Sequence, residues 1–278
     1  MIDKFLQGRS AWITGGATGM GRAIALRLAE AGADIAIGSL VGDEGETVPA
    51  DADTYYPTSA ELDKTRAELE SHGVNVFVRS LDVRSDANVS SFFEAALAEL
   101  GKVDILVNAA GLDVHHLMAN HPDEPWHRVI DTNLNGNFRT IRRCLPGMLE
   151  RGWGRVVIIA STAASIGSAT NAAYCASKAG LLGLMRCVAL EGAAGGVTCN
   201  SVSPGFVDTP MAHSSFVHSV ERGEFESVEA ARTDAIKDYP DRAFIQPDDI
   251  ANTVSFLCSN EARRVNMEDV RVSAGALW

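Results

Sequence analysis

The chain of 278 residues alternates between short apolar segments typical of β-strands and longer segments typical of amphipathic helices. The pattern begins at residues 10–14, an apolar strand that runs through glycines into a helix at 21–31. Such alternation predicts βαβ units with parallel strands, because each crossover helix returns the chain to the same edge of the sheet. We therefore expect an α/β protein with a Rossmann fold, a doubly wound parallel sheet flanked by helices.

Later segments continue this alternation. The apolar residues 156–160 predict a strand buried on both faces, as in the centre of a parallel sheet. Two irregular stretches, 38–58 and 206–246, are expected to be insertions on a single domain that spans residues 1–278. The other predicted strands are 34–37, 74–79, 103–107, 197–202 and 269–272, and the other predicted helices are 59–71, 86–100, 172–191 and 248–257.

Charge and composition narrow the class of function. A net charge of −12 without a basic cluster excludes a nucleic-acid partner, which needs clustered positive charge. No uncharged apolar run reaches the roughly 20 residues that span a bilayer, and residues 1–8 do not resemble a signal peptide. The five cysteines form no C-x-x-C pair and lie in apolar segments, which is typical of reduced core residues. We expect a cytoplasmic protein without a membrane partner.

The glycine-rich residues 14–21, TGGATGMG, join the first strand to the first helix. Gly15 permits a sharp turn, Gly19 lets the backbone approach a phosphate, and Gly21 lets the helix pack closely. Free N–H groups at the helix start would bind a pyrophosphate. A purely structural turn is the alternative, and the strand-to-helix context favours a dinucleotide site.

The spacing G-x-x-x-G-x-G resembles the cofactor signature of the short-chain dehydrogenase/reductase family. Further family motifs follow in order, and Ser161 precedes Tyr174 by the expected 13 residues. These matches span residues 14–205, with a weaker likeness at 247–251. They are Asn108-Ala109-Ala110-Gly111, Asn133, Ser161, the Y-x-x-x-K box Tyr174–Lys178, and Pro204-Gly205.

Alcohol oxidation needs a base for the hydroxyl proton while hydride leaves to the nicotinamide, and Tyr174 is the candidate. Lys178 lies four residues later on the same helix face, so we expect its ammonium to lower the pKa of Tyr174. The resemblance implies that Lys178 also binds the nicotinamide ribose, that Ser161 holds the substrate oxygen, and that Asn133 supports a water relay. Taken singly, these residues could be an exposed pair, a strand-end cap and a kink residue.

The choice between NAD and NADP depends on the end of the second strand, where the family's acid or base would lie. This chain has Ser39 there, and the following loop carries Asp43, Glu44 and Glu46, which would repel a phosphate. NAD is therefore favoured over NADP. The expected dinucleotide contacts are Gly15, Thr18, Gly19, Met20, Gly21, Ser39, Asp82, Val83, Asn108, Ala109, Ala110, Gly111, Tyr174, Lys178, Pro204, Gly205, Val207 and Thr209.

The long loop at 38–58 is similar in position and length to insertions in carveol-dehydrogenase-type members, which act on cyclic or terpenoid alcohols. A surface excursion without function is the alternative.

Substrate selection is expected from segments 112–118, 165–170 and 211–245, with Ser161, Tyr174, His116 and Gly205 as substrate contacts. The last segment offers both apolar and polar candidates, and the choice stays open. They are Met211, Phe216, Val217, Val220 and Phe225 against His213, His218, Glu221 and Arg222. No metal site is expected, since the histidines lack the spacing that aims ligands at one ion; they are His115, His116, His121 and His127.

These observations predict an oxidoreductase that transfers hydride between a nicotinamide dinucleotide and a secondary alcohol or ketone. One alternative is an NADPH-dependent reductase of 3-oxoacyl thioesters, and another is a catalytically silent dinucleotide-binding protein. The chain ends in VSAGALW where family members commonly have a V-D-G-G-like turn. We expect Trp278 to be buried at a subunit contact, and the resemblance implies a homotetramer.

Overall fold

Strand and helix follow one another along the chain, and the computed structural model describes residues 4–42, 52–53 and 55–276. The strands in these ranges are β1 (Ser10–Thr14), β2 (Asp34–Ser39), β3 (Ala52–Asp53), β4 (Val76–Ser80), β5 (Ile105–Asn108), β6 (Asp113–Val114), β7 (Gly154–Ile159), β8 (Val197–Pro204) and β9 (Asp269–Val272). The α-helices are α1 (Gly19–Glu30), α2 (Ser59–Glu70), α3 (Asp86–Leu100), α4 (Asp123–Ile130), α5 (Gly136–Glu150), α6 (Ala172–Gly192), α7 (Pro210–Glu221), α8 (Val228–Ala235) and α9 (Pro247–Cys258). A π-helical turn, Asp131–Asn135, joins α4 to α5.

Seven strands form one parallel sheet in the order β4-β2-β1-β5-β7-β8-β9. Every residue of β7 is buried, as the apolar run at 156–160 predicts for a central strand, and the burial extends to Arg155. Helices cover both faces of the sheet, and two buried apolar clusters lie between helices and sheet. The predicted Rossmann fold is confirmed.

The strand order reverses between β1 and β5, where Thr14 at the end of β1 pairs with Gly38 of β2 on one side and with Asn108 of β5 on the other. Chain connections leave β1 on one side toward β2 and return on the other side at β5. The loops that follow these two strands therefore separate and leave a crevice at their carboxyl ends. Ligands of open α/β sheets bind at such a switch point.

The stretch predicted as an irregular loop at 38–58 contains ordered structure at both ends. Gly38 and Ser39 belong to β2, because they pair with Arg79 and Ser80 of β4. Further along, Ala52–Asp53 pairs antiparallel with Asp113–Val114, so that β3 and β6 form a separate two-stranded sheet. The acids Asp43, Glu44 and Glu46 lie outside the described residues, as does Trp278.

A cluster of charged side chains surrounds Asp104 at the amino ends of the strands. Asp104 lies just before β5 and is fully buried. Its carboxylate lies 3.0 Å from Lys102 Nζ, 3.3 Å from Arg151 Nε and 3.8 Å from Arg9 Nη1. The Arg9 guanidinium also lies 3.7 Å from the centre of the Trp153 ring. Several cations thus compensate one buried carboxylate, which would otherwise be costly to desolvate.

Helix α6 is the longest helix in the described ranges. With the turn that follows it, Ala172–Gly195 is long and apolar enough by composition to cross a bilayer, with a mean hydropathy of 1.2. It also carries Lys178, Arg186 and Glu191 and packs against β8 and α5. We therefore interpret it as the core helix of an α/β fold.

The cysteines are free thiols, and the expectation that all are core residues holds only in part. Cys144, Cys199 and Cys258 are buried, and burial raises the pKa of each thiol. Cys175 is partly exposed and Cys187 is exposed, contrary to the prediction, since Cys187 lies on the outer face of α6.

Candidate active site

The glycine-rich turn between β1 and α1 forms a cradle that any larger residue would block. Gly15 has a φ of +69°, and a Cβ there would lie 2.9 Å from the Ala110 nitrogen. A Cβ on Gly21 would lie 2.1 Å from the Gly15 carbonyl oxygen. Both positions therefore require glycine, one for its conformation and both for the close approach of backbone.

The start of α1 suits an anion. Thr18 at the N-cap makes no capping hydrogen bond through its side chain, and the first turn carries no acidic residue. Gly19 has a φ of +53°, which turns the backbone into the helix. The first N–H groups of the helix and its dipole thus favour a phosphate, so the residues present fit the pyrophosphate of a dinucleotide.

Two hydroxyl groups hold this turn in place. Ser39 Oγ accepts a hydrogen bond from Ala17 N at 3.0 Å, and Thr14 Oγ1 accepts from Ala109 N and Ala110 N at 3.1 Å each. The hydroxyl oxygen that we expected to contact the dinucleotide at Ser39 is therefore already bound to the turn. Ser39 lies at the end of β2 as predicted, but the sequence did not predict its hydrogen bond with Ala17 of the turn.

A cleft opens along the carboxyl ends of β1, β2, β4 and β5, at the switch point of the sheet. Ligands of open α/β sheets bind at this position. Most of the residues that the sequence predicts for dinucleotide binding line the cleft: Gly15, Thr18, Gly19, Met20, Gly21, Ser39, Asp82, Val83, Ala109, Ala110, Gly111 and Thr209.

Asn108 lies beneath the cleft instead of in its lining. Its side chain is 2% exposed, and its Oδ1 accepts a hydrogen bond from Thr140 Oγ1 at 2.8 Å. This asparagine therefore ties β5 to α5, a structural role. The sequence motif alone predicted a cofactor contact and did not separate the two roles.

Pro204 ends β8, and Gly205 and Val207 follow it at the carboxyl end of the sheet, but none of the three lines this cleft. A Cβ on Gly205 would lie 2.1 Å from the hydroxyl of Tyr239, which accepts a hydrogen bond from Phe206 N at 2.7 Å. Tyr239, which sequence reasoning missed, thus fixes the turn after β8.

Asn133 is fully buried in the π-helical turn before α5. Its Oδ1 accepts from Leu112 N at 2.9 Å, and its Nδ2 donates to Leu112 O at 2.9 Å and to Ser177 Oγ at 3.1 Å. The side chain therefore joins the loop after β5 to the helix α6. Such π-helical turns often mark functional sites.

Ser161, Tyr174 and Lys178 come together as predicted. Lys178 Nζ lies 5.4 Å from the centre of the Tyr174 ring and donates to Ile159 O at 2.8 Å. A hydrogen bond joins the Tyr174 and Ser161 side chains. A Cβ on Gly111 would lie 3.7 Å from Lys178 Nζ, so the group borders the wall of the cleft.

The pKa of Tyr174 shifts in the opposite direction to the prediction. Burial raises it, the negative charge of Asp113 raises it further, and only the hydrogen bond with Ser161 lowers it. Burial lowers the pKa of the Lys178 ammonium to about 8, with Asp113 acting in the opposite sense. Desolvation outweighs the attraction between ammonium and phenolate in this geometry.

The first two predicted substrate segments meet at the start of α6. His116 N donates to Thr170 O at 2.8 Å, and His115 Nδ1 lies 3.1 Å from Thr170 Oγ1. Asn171 Nδ2 donates to Asp113 Oδ2 at 3.0 Å. The His116 ring itself packs against His121, with 5.1 Å between ring centres.

The segment 206–246 contains the third group of residues that we expect to select the substrate. Met211, at the start of α7, lines the cleft as predicted. Phe216 is only 5% exposed, because it packs against Phe206 and Phe244. The expectation that Phe216 is a lining residue is therefore wrong; it belongs to the internal core of this segment.

Ten residues that the sequence did not assign to the cofactor site also line the cleft: Leu40, Tyr55, Tyr56, Pro57, Leu81, Arg84, Leu112, Thr132, Pro210 and Met211. Arg84 makes a two-pronged pair with Asp82, with Nη2 2.8 Å from Oδ2 and Nε 2.9 Å from Oδ1. The sequence feature that could have identified Tyr55 and Tyr56 as lining residues is the pair of adjacent tyrosines before a proline in a polar loop. In the ranges that the structure describes, no three His, Cys, Asp or Glu side chains gather as metal ligands.

Comparison with known proteins identifies the family. Residues 9–219 match the model of the short chain dehydrogenases. The chain belongs to the short-chain dehydrogenase family. It is an oxidoreductase with a nicotinamide dinucleotide cofactor and a small-molecule substrate, so the family assigned from the motifs is confirmed.

Three proteins are similar to this short-chain dehydrogenase over nearly its whole length. An uncharacterised oxidoreductase of Mycobacterium tuberculosis is 37% identical and covers 99% of this chain and 98% of its own length. Carveol dehydrogenase from Mycobacterium avium, in complex with NAD, has a TM-score of 0.91 at 27% identity, covering 98% of each chain. The actinorhodin polyketide ketoreductase with NADPH has a TM-score of 0.86 at 34% identity, covering 96% of this chain and 97% of its own.

Proposed function

We propose that this enzyme transfers hydride between NAD and a secondary alcohol or ketone, with Tyr174 as the general acid and base. The observation that carries the proposal is the grouping of Ser161, Tyr174 and Lys178 beside the wall of the dinucleotide cleft. A catalytically silent protein has no need of a buried lysine at this place, since the Lys178 ammonium is costly to desolvate.

Tyr174 is a neutral phenol in this environment, so it donates its proton to the substrate oxygen when a ketone is reduced. In alcohol oxidation the phenol must first lose its own proton, and the phenolate then takes the hydroxyl proton. The dinucleotide, when bound, supplies the hydride acceptor or donor. Ser161 already shares a hydrogen bond with the phenol, so a substrate oxygen placed between the two hydroxyls would be bound by both. Lys178 stays largely protonated at pH 7, because its pKa of about 8 lies above that pH.

Asn133 acts as a positioning residue in this proposal. Its amide holds Leu112 at the end of the cofactor loop and Ser177 on the catalytic helix. The two walls that carry the dinucleotide and the phenol are thus tied through one side chain. The water relay that the family resemblance implies would start from this link.

We propose NAD as the cofactor. Ser39 carries no charge at the end of β2, and the Arg84 guanidinium is compensated by Asp82 in the cleft. A 2′-phosphate would therefore meet no uncompensated cation among these residues, whereas a ribose hydroxyl needs none. Titration of the protein with NADH and NADPH tests this choice, and much tighter binding of NADPH would overturn it.

We also propose that the enzyme is a homotetramer, as the family resemblance implies. Large apolar side chains are exposed on outer helices, among them Phe138 (47%) on α5, Leu190 (70%) on α6 and Phe256 (51%) on α9. Exposed apolar groups of this size are typical of subunit contacts. A single monomeric species in solution would contradict the assembly. The burial of Trp278 and a cytoplasmic location stay predictions.

The test of the reaction is turnover by wild type and Tyr174→Phe with a panel of neutral alcohols and ketones. We expect NADH formation or consumption by wild type, and a loss of about 10³-fold in kcat for Tyr174→Phe with unchanged NADH affinity. Substantial activity in this variant would overturn the mechanism. Preferential reduction of 3-oxoacyl thioesters with NADPH would instead favour the reductase alternative.

A further inference from the structure

We infer that Asp113, held in place by Asn171, puts a negative charge on the substrate side of the site and selects against substrates with a negative charge near the reacting carbon. The inference rests on the proposed function and narrows its substrate class to neutral alcohols and ketones. Asp113 is thus a specificity-determining residue, distinct from the groups that move the proton.

The Asp113 carboxylate is held in one orientation. Asn171 Nδ2 donates to its Oδ2 at 3.0 Å, and Val114 N donates to its Oδ1 at 2.7 Å. His115 Nε2 lies 3.5 Å from the same Oδ2. The side chain is 18% exposed, so its charge is only partly screened by solvent.

The position of this carboxylate places its charge beside the reaction. Asp113 begins β6 two residues after Gly111, where an added Cβ would lie 3.7 Å from Lys178 Nζ. Asn171, which holds the Asp113 carboxylate, precedes Tyr174 by three residues. The charge of Asp113 raises the pKa of both Tyr174 and Lys178. A field that reaches both of these groups also acts on a charged substrate that lies against them.

Asn171 holds the carboxylate in place. This residue is 8% exposed at the N-cap of α6, and its Nδ2 donates to Asp113 Oδ2 at 3.0 Å. Its Oδ1 is buried without a hydrogen-bond donor among the described residues, so this oxygen does not reach a substrate. Asn171 therefore fixes the Asp113 charge about one helical turn before Tyr174 and is not itself a substrate contact.

The nearest cation, the Lys178 ammonium, is present in wild type and in the Asp113 variants, so their comparison isolates the charge at position 113. Lys178 Nζ donates to Ile159 O, and burial lowers the pKa of the ammonium. His115 shares its ring between Asp113 and Thr170. Removing the charge at position 113 should thus leave the site about one unit more positive while keeping its shape.

The experiment compares 4-hydroxycyclohexanecarboxylate with its carboxamide, which has the same ring and reacting hydroxyl but no charge. The ratio of kcat/KM values, carboxylate over carboxamide, is measured for wild type, Asp113→Asn and Asp113→Glu. We expect Asp113→Asn to raise this ratio about tenfold, the effect of one charge at roughly 10 Å near a surface, and Asp113→Glu to keep it low. Asp63→Asn, an exposed acid on α2, removes the same charge elsewhere and should leave the ratio unchanged.

A purely structural role for Asp113 would lower both kcat/KM values together, and an unchanged ratio would overturn the inference while the proposed function stands. Absence of turnover of the carboxamide and of every other neutral alcohol by wild type would overturn the function itself. Should Asp113→Asn fail to bind NADH, salt supplies a second measurement on wild type. Raising the ionic strength from about 0.05 to 0.5 M should increase the ratio through screening, and a ratio that stays constant or falls would overturn the inference.

Discussion

The cofactor half of the cleft and the substrate half are held by different kinds of contact. Around the dinucleotide cradle, backbone lies against backbone, as at Gly15 and Gly21, and short hydroxyls fasten the main chain. Around the substrate wall, side chains from distant segments pair with each other, as Asp113 does with Asn171. The first half tolerates little change in shape, whereas the second can change in charge and polarity without moving the backbone.

On the proposed function, this difference separates the recognition of the cofactor from that of the substrate. The cradle would bind the dinucleotide through a geometry that depends on residues without side chains. The substrate wall would comprise β6, the segment before α6 and the segment 206–246, and we expect its selectivity to depend on a few polar groups on loops that the rigid sheet positions.

Ser161→Ala is the strongest test of the division between the halves. Loss of the hydroxyl removes a hydrogen bond to Tyr174 and to the substrate oxygen, so kcat/KM should fall about 10²- to 10³-fold while the dissociation constant for NADH stays unchanged. Ser168→Ala, in the same wall but exposed, should behave like wild type. Weakened NADH binding in Ser161→Ala would show that the halves are not separable here.

Lys178 borders both halves, and its buried ammonium should be visible in the pH dependence of stability. Its folded pKa of about 8 lies below the ordinary 10.5, so its contribution to the free energy of unfolding is greatest above pH 10.5 and is lost as the pH falls through 8. The difference in unfolding free energy, wild type minus Lys178→Met, should rise by up to about 3 kcal/mol across that window. Urea unfolding at several pH values measures it, and a flat difference would contradict the burial of the charge.

Gly21→Ala, in the cradle, is compared with Gly167→Ala, in the substrate wall. The added Cβ would lie 2.1 Å from the Gly15 carbonyl oxygen, so the turn must shift, and NADH should bind at least about tenfold more weakly. Gly167→Ala is the matched control, because no atom lies within 4 Å of its Cβ position. Equal NADH affinity in the two variants would remove the distinction between the halves.

Tyr56→Ala should have the smallest effect. Tyr55 and Tyr56 line the cleft from the far end of the insertion, and loss of one aromatic ring should weaken NADH binding about threefold. The ratio of kcat/KM values among substrates should not change. An unchanged NADH affinity would support the alternative that the insertion is a surface excursion without function.

The sequence predicted the cofactor half better than the substrate half, for a physical reason. The glycine spacing and the Y-x-x-x-K box join residues that are only a few positions apart. A linear motif therefore describes their local geometry. The tasks of Ser39 and Asn108 depend on Ala17 and Thr140, which lie 22 and 32 residues away, and no short pattern encodes such pairs.

Short elements and electrostatics were also beyond the sequence. The strands β3 and β6 have two residues each, too few to show a period of alternation. The direction of the Tyr174 pKa was missed because burial, which dominates it, follows from the packing around α6 and not from the spacing of Tyr174 and Lys178. The Asp113 charge acts on both through space.

The ion cluster at Asp104 lies at the edge of the sheet opposite the cleft, because Arg9, Asp104 and Trp153 each come just before a strand whose carboxyl end faces the site. Parallel strands thus give this enzyme a working end and a supporting end, separated by the length of a strand. Substitutions that raise thermal stability can therefore be made near the Asp104 cluster without altering turnover. Substitutions that change the substrate at the carboxyl ends of the strands need not weaken that cluster.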